Sequence, residues 1–158
     1  MRLYMKQKVM TIVDKFTIKD EAGNDVYFVE GEFLSLVKKL HVRDQGGNEV
    51  AYLQGRVSFF PRYDVYLGGE FACSVQKKFT FLLPRYEIEG LGWEVRGELF
   101  AHEYEVFSGD HTIMAIHKRW VSWGDAYEID IAESENHVLA LCVVLGIDAA
   151  LNREQKRR

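Results

Sequence analysis

Histidine is the residue type in this chain that could take part in the widest range of chemistry, because imidazole titrates near neutral pH and readily binds metals. The five histidines stand in separate sequence contexts: His41, His102, His111, His117 and His137. If 111–119 is one strand, His111 and His117 share a face, but their spacing along it is about 20 Å, too far to share a metal ion. No H-x-H, H-E-x-x-H or paired C-x-x-C motif occurs. The sequence therefore predicts no metal site.

Motifs for nucleophilic catalysis and nucleotide binding are also missing from the sequence. The nucleophile elbow G-x-S-x-G does not occur. The GLG sequence at 90–92 has Val95 where a dinucleotide fingerprint requires glycine. The acidic stretch DEAGND at 20–25 breaks the spacing of a calcium loop, and we interpret it as a hairpin turn. We predict a non-enzymatic protein without a cofactor; the alternative is an enzyme with a shallow exterior pocket near His102, Glu103 and Asp110.

Basic residues provide the one positive indication of a binding site, because they recur where one sequence unit meets the next. We call seven of them the basic rim: Lys38, Lys39, Arg62, Lys78, Arg85, Lys118 and Arg119. If the units are repeats, equivalent positions lie at similar heights, so these cations gather at one end of the fold. Such a rim binds anionic lipid headgroups or phosphate esters. The alternative is that strand edges and loop ends use Lys and Arg for solubility.

The elements that position these cations come from an internal repeat. A short segment with the alternating pattern of a β-strand begins six times, at Phe16, Leu40, Tyr63, Tyr86, Tyr104 and Tyr127. Four of the turns that follow carry Gly with Asn, Asp or Glu, at 22–25, 45–48, 67–70 and 108–110, and a second strand follows each turn. Alternation is clear at 93–102, where Trp93 and Val95 share one face and Glu94 and His102 the other. Ten to twelve such strands predict a sheet that closes into a barrel.

Bulky apolar clusters close four of the units, at 33–36, 57–60, 79–82 and 120–123. We expect the three tryptophans, Trp93, Trp120 and Trp123, to pack in the core and at the rim of the barrel. The alternative is an exposed aromatic patch, which would indicate a membrane interface or a partner site.

The C-terminal segment departs from the repeat. Ser134 and Asn136 are candidate N-caps, and an almost unbroken apolar run follows from 137 to 147. A helix that is apolar all round must be buried all round, so we predict a helix inside the barrel with Leu141 and Val144 in the core. The alternative is a C-terminal membrane anchor, although the run is shorter than the roughly 20 residues that a bilayer needs.

Composition fits one globular domain, with 158 residues of which 47% are hydrophobic. We divide the chain into a single domain at 1–152 and a charged tail at 153–158. A net charge of −4 disfavours nucleic acid as a partner. Cys73 and Cys142 are interpreted as buried free thiols, with a redox pair as the alternative. The N-terminus has no signal-peptide pattern, so we expect a cytoplasmic protein that is peripheral to the membrane if it contacts one.

Several segments resemble the LURP-one-related family, and in particular its small bacterial members. The segments are RLYMKQKV at 2–9, DKFTIKDEAGNDVYFVEGE at 14–32, PRYEIEGLGWEVRGELFAHEYEVF at 84–107, WVSWGDAYEIDIAE at 120–133 and ALCVVLGID at 140–148. The resemblance implies a tubby-like fold, a closed antiparallel barrel of about twelve strands around a hydrophobic C-terminal helix. That fold is shared with tubby C-terminal domains, which recognise phosphoinositide headgroups, and with phospholipid scramblases, which act at membranes with calcium.

The resemblance transfers no functional residue, because no stretch of this sequence matches the tubby lipid-site motif. We therefore expect a non-enzymatic binding or scaffold domain that recognises anionic lipid headgroups or phosphate esters through the basic rim. Its partner is an anionic membrane surface or a protein. Two alternatives stay open: the enzyme with an exterior pocket, and a scramblase-like protein that handles lipids at the membrane.

Overall fold

A computed structural model describes residues 1–6, 15–32, 38–78 and 85–157, with side chains described up to 154. These ranges form twelve strands, one short 3-10 helix at Leu99–Ala101 and one α-helix, α1 (His137–Arg157). The strands are β1 (Arg2–Lys6), β2 (Lys15–Lys19), β3 (Asp25–Glu32), β4 (Lys39–Asp44), β5 (Glu49–Gly55), β6 (Arg62–Leu67), β7 (Glu70–Lys78), β8 (Arg85–Glu89), β9 (Trp93–Glu98), β10 (Glu103–Ser108), β11 (His111–Val121) and β12 (Gly124–Ile131).

Each strand pairs antiparallel with its neighbour in sequence, and β12 pairs with β1, so the sheet closes into a barrel. The six repeated segments form the six even-numbered strands, from β2 to β12. The turns predicted after β2, β4, β6 and β10 are the connections to the next strand. The predicted fold, a closed antiparallel barrel with a C-terminal helix, is therefore confirmed.

The barrel has two distinct ends. At the turn end, the even-numbered strands from β2 to β10 connect to the next strand through short hairpin turns. At the opposite end, the odd-numbered strands finish and the even-numbered strands begin; we call this the junction end. The predicted apolar clusters at 33–36 and 79–82 lie outside the described residues.

The alternation predicted through 102 breaks off earlier. Strand β9 ends at Glu98, and the chain turns through the 3-10 helix to His102, whose φ of 55° is left-handed. Its backbone N–H donates to the carbonyl of Leu99 at 3.1 Å and closes that turn. His102 therefore leaves the outer polar face to which its sequence parity assigned it. Gly97 precedes the break, with a φ of 127° and a position where a Cβ would lie 2.6 Å from the carbonyl oxygen of Glu103.

Helix α1 lies in the barrel lumen, and residues 140–151 are buried without exception. Asn136 caps it, since its Oδ1 accepts from the backbone N–H of Leu139 at 3.0 Å. The helix starts after β12 at the turn end, and 21 residues carry it about 31 Å toward the junction end. At Gly146 an added Cβ would lie 2.9 Å from Val75, so glycine allows the close approach of helix and strand. The apolar run is thus the core, as predicted.

Within the described residues, no helix has the length and apolarity that crossing a bilayer requires. The helix bounds extend α1 past residue 152, so the expected border between domain and tail falls inside it. The division into a domain at 1–152 and a tail at 153–158 stays a prediction.

Both cysteines are buried free thiols, as expected. Burial raises the pKa of Cys73 to about 12 and raises the pKa of Cys142 as well. The thiols are therefore protonated at neutral pH, and they contribute as small apolar side chains.

The aromatic residues divide between core and surface. Trp93 is buried, as expected, and Trp123 is half-buried with its ring edge-on to Tyr4 at 6.5 Å. The expectation was wrong for Trp120, which is 79% exposed, and Phe59 is 84% exposed as well. Phe59 follows the end of β5 and therefore lies outside the alternation that turns side chains into the lumen. Apolar side chains are thus displayed at the junction end.

Candidate functional site

The seven residues of the basic rim all lie at the junction end. Lys39, Arg62 and Arg85 begin β4, β6 and β8, and Lys78 ends β7. Lys38 directly precedes β4, and Lys118 and Arg119 lie in the last third of β11. The barrel separates them into two groups, since two strands, β9 and β10, lie between β8 and β11. The structure brings the first five onto one arc from β4 to β8 and leaves Lys118 and Arg119 apart from them.

Like charges meet within this arc. Lys78 and Arg85 are direct partners in the register of β7 and β8, an arrangement that is unfavourable unless an anion balances it. The ammonium of Lys78 lies 3.2 Å from a carboxylate oxygen of Glu87, and both side chains of this ion pair are about half exposed. Such exposed pairs contribute little to stability and exchange partners readily.

A surface groove of about 340 Å³ lies beside these cations. Its walls are residues 58–61 of the connection between β5 and β6, Arg62 at the start of β6, and the last part of β7. Arg62 and Lys78 contribute positive charge to it, and Phe59 contributes an exposed ring. We call this the rim groove. It joins a cationic and an apolar surface at one place.

Lys77, also at the rim groove, has a structural role. Its ammonium binds the carboxylate of Glu154 on α1, which also accepts a hydrogen bond from the hydroxyl of Tyr86 at 3.1 Å. Arg153 donates to the carbonyl of Arg56 at 3.4 Å. These contacts attach the last described turn of the helix to the barrel wall.

Asp64 was not singled out by the sequence analysis, yet it organises the outer face next to the rim groove. Its carboxylate accepts from Arg56 Nε at 2.6 Å, from Arg62 Nε at 3.1 Å and from Ser74 Oγ at 2.9 Å. Burial opposes its ionisation, but the hydrogen bonds from Arg56, Ser74 and Arg62 outweigh that effect and hold its pKa below the ordinary value. The R-x-D spacing at 62–64, with both residues on one strand face, was the signal that could have identified it.

A second buried carboxylate lies in the lumen. Asp148 on α1 has its Oδ1 3.5 Å from Nδ1 of His102, whose ring stacks on Tyr127 with centroids 4.2 Å apart. Burial raises the pKa of Asp148 to about 7, against the opposing charge of Lys38. Burial, with a smaller effect of Lys118, lowers the pKa of His102 to about 4. At pH 7 the histidine is therefore neutral, and the contact is a close polar approach rather than a full ion pair.

The three residues of the proposed exterior enzyme pocket are not brought together. His102 turns toward the lumen, and Glu103 accepts from the backbone N–H of Lys118 and contacts His117, both at 2.8 Å. Asp110 lies in the turn at the far end of β10, about 20 Å along the strand from Glu103. Among the side chains that the structure describes, no three His, Cys, Asp or Glu residues converge as metal ligands.

Comparison with known proteins agrees with this architecture. The chain matches the LURP-one-related family over residues 1–148. It is similar to the Bacillus subtilis (strain 168) protein YxjI, with 34% identity over 154 residues that cover 97% of this chain and 95% of that protein. An X-ray structure of an Arabidopsis thaliana protein has the same fold, with a TM-score of 0.64 and 18% identity over 93% of this chain and 89% of the other. The chain belongs to the LURP-one-related family.

Proposed function

We propose that this domain is a non-enzymatic binding module that attaches to anionic lipid surfaces through the rim groove and the adjoining cations. The observation that carries the proposal is the direct pairing of Lys78 with Arg85 beside a groove that displays Phe59. The resemblance to tubby-like domains points in the same direction. The proposal puts the domain at the cytoplasmic periphery of a membrane.

The charge distribution supports attraction of an anionic membrane to the cations near the rim groove rather than to the protein as a whole. The chain as a whole has a net charge of −4, which disfavours nonspecific adsorption to an anionic surface. Each Lys or Arg near such a surface contributes about 1 kcal/mol, and this contribution decays within a Debye length. Arg62 and Lys78 line the same groove, and Arg85 is the register partner of Lys78. Phosphate oxygens can replace the carboxylate of Glu87 at Lys78.

The exposed apolar side chains supply the second contribution to membrane binding, beside the electrostatic one. Phe59 and Val57 are largely exposed next to the rim groove. Exposed aromatic and aliphatic side chains beside cations suit the boundary between lipid headgroups and acyl chains. Burying them there recovers about 25 cal/mol for each Å² of apolar surface removed from water.

Vesicle co-sedimentation at low salt tests the proposal. The wild-type protein is expected to sediment with vesicles that contain about 30% phosphatidylserine but not with phosphatidylcholine alone, and to dissociate as salt rises. The double variant Lys78→Glu/Arg85→Glu is expected to lose this retention. Phe59→Ser is expected to weaken it without changing its salt dependence.

The matched control reverses two charges at the turn end, in Arg2→Glu/Arg43→Glu, where each arginine forms a partly exposed ion pair. This variant has the same net charge as the test variant and is expected to keep vesicle binding. If wild-type protein stays in the supernatant with phosphatidylserine vesicles, or if both double variants lose binding equally, the proposal is wrong.

A further inference from the structure

A second groove, which we call the polar groove, lies on the outer face of β4, β5 and β6. It has a volume of about 280 Å³, and its lining includes Lys39, His41, Glu49, Tyr52, Arg56 and Tyr66. Asp64 lies between the two grooves, because it binds Arg56 of the polar groove and Arg62 of the rim groove.

Arg56 is held in position before any ligand arrives. Its Nε donates to Asp64 at 2.6 Å and its Nη2 donates to the hydroxyl of Tyr66 at 2.7 Å. The Asp64 side chain that fixes it is only 6% exposed, whereas the Arg56 side chain is 47% exposed. Of the five N–H donors of a guanidinium, these contacts use two. The remaining donors are of the kind that binds the oxygens of a phosphate or carboxylate.

Lys39 supplies a second charge at the same end of the polar groove. It is the register partner of Gln54, which is in turn the register partner of Asp64, so the three lie side by side across β4, β5 and β6. Within the described part of the chain, no carboxylate forms an ion pair with the Lys39 ammonium. An oxyanion between Lys39 and Arg56 therefore gains two cationic partners.

The other end of the polar groove presents hydrogen-bonding groups on a rigid base. The rings of Tyr52 and Tyr66 stack with centroids 4.5 Å apart and planes 8° from parallel. His41 contacts the carboxylate of Glu32 at 2.9 Å through Nε2 and that of Glu49 through Nδ1. These carboxylate and phenol oxygens can exchange hydrogen bonds with the hydroxyl groups of a ligand.

We propose that the polar groove binds a small phosphate ester with several hydroxyl groups, the class to which sugar phosphates belong. Its phosphate lies between Lys39 and Arg56, and its hydroxyls contact Glu49 and Tyr52. The volume is near the lower limit for small-molecule sites, which suits a ligand of this size. The inference goes beyond the proposed function, since its anchor is Arg56 and not the Lys78–Arg85 pair.

Isothermal titration of the full chain with ribose 5-phosphate, ribose and inorganic phosphate tests the inference. Ribose 5-phosphate is expected to bind more tightly than either part alone, because both ends of the polar groove contribute. Arg56→Gln and Lys39→Gln are each expected to weaken its binding at least tenfold, since each removes a charge-assisted contact. Lys39→Gln disturbs no buried group, so it remains informative if Arg56→Gln fails to fold.

Arg96→Gln is the matched control, because Arg96 is also an exposed arginine on the outer face in an ion pair with a carboxylate. It is expected to bind ribose 5-phosphate as wild type does. Absence of binding up to about 10 mM ribose 5-phosphate overturns the inference. So does equal affinity for inorganic phosphate, or wild-type affinity in Lys39→Gln.

Vesicle co-sedimentation of Glu49→Gln separates the two proposals and the two sources of phosphate, because Glu49 lines the polar groove and begins β5 at the turn end, away from the rim groove and the basic rim. We expect this variant to weaken binding of ribose 5-phosphate while it keeps wild-type vesicle binding. If the variant loses vesicle binding as well, the polar groove is part of the lipid-binding surface, and the inference of a separate soluble ligand is wrong.

Discussion

Asp64 and Asp148 are both buried, 4% and 6% exposed, but their environments shift their pKa values in opposite directions. Asp64 lies on the outer wall, where two arginines and a serine donate to it. Asp148 lies in the lumen, where the neutral ring of His102 is its close polar neighbour and the cation of Lys38 acts from further away. Burial alone therefore does not decide the ionisation of a carboxyl group. The partners that the fold supplies decide it.

The largest expected effect on stability comes from a new carboxylate in the lumen that has neither the donors of Asp64 nor the histidine neighbour of Asp148. Leu141 is fully buried in the middle of α1, so Leu141→Asp introduces an unpaired charge that costs several kcal/mol. That cost is comparable to the total stability of a typical domain. We expect loss of cooperative thermal unfolding in circular dichroism. Leu139→Asp, at a half-buried position of the same helix, is the control and should cost less. A near-native melting curve for Leu141→Asp would show that the lumen tolerates charge.

Removal of the existing lumen charge should stabilise the protein at neutral pH. The pKa of Asp148 is about 7 in the folded protein, against an ordinary value of 3.8. The unfolded chain therefore ionises at lower pH, and this group destabilises the fold increasingly from pH 4 to pH 7. We expect Asp148→Asn to raise the free energy of unfolding by about 3 kcal/mol at pH 7 and by almost nothing near pH 4. Urea denaturation at both pH values measures the difference.

His102 has the opposite pH dependence. Its pKa is about 4 in the fold, against an ordinary value of 6.5, so the folded state resists protonation and loses stability as pH falls from 6.5 to 4. In the wild type the two groups offset each other over this range. Asp148→Asn should therefore lose stability more steeply on acidification than the wild type does. Asp125→Asn, at an exposed position, is the control, and a parallel pH profile in Asp148→Asn and wild type would contradict this account.

Removal of the outer carboxylate should destabilise the protein more modestly. Because the pKa of Asp64 is lowered in the fold, its contribution is present above the unfolded pKa near 4 and is lost as pH falls. We expect Asp64→Asn to cost about 2 kcal/mol at pH 7, since Arg56 and Arg62 keep access to water. Urea denaturation from pH 7 down to pH 3 should show the difference shrinking with acid. A cost that is independent of pH would mean that the hydrogen bonds to Asp64 do not depend on its charge.

Sequence alone determined the architecture because the relevant signals are local and repeated. Six segments of alternating apolar and polar residues, with Gly-containing turns, specify hairpins. An unbroken apolar run needs burial on every side. A closed sheet offers such a place, so barrel and central helix follow together. The cap at Asn136 and the burial of Cys73 and Cys142 follow from the same local patterns.

Only the tertiary structure decided how the charged groups are paired. The partners of Asp64 come from three strands or strand ends, and sequence parity did not place Arg56 next to it. His102 reached Asp148 because a 3-10 turn and a left-handed backbone broke the alternation. The strand order also separated Lys118 and Arg119 from the other cations of the basic rim, because β9 and β10 lie between β8 and β11. Electrostatic pairing depends on distances across the sheet, and those distances are set by register and closure rather than by sequence spacing.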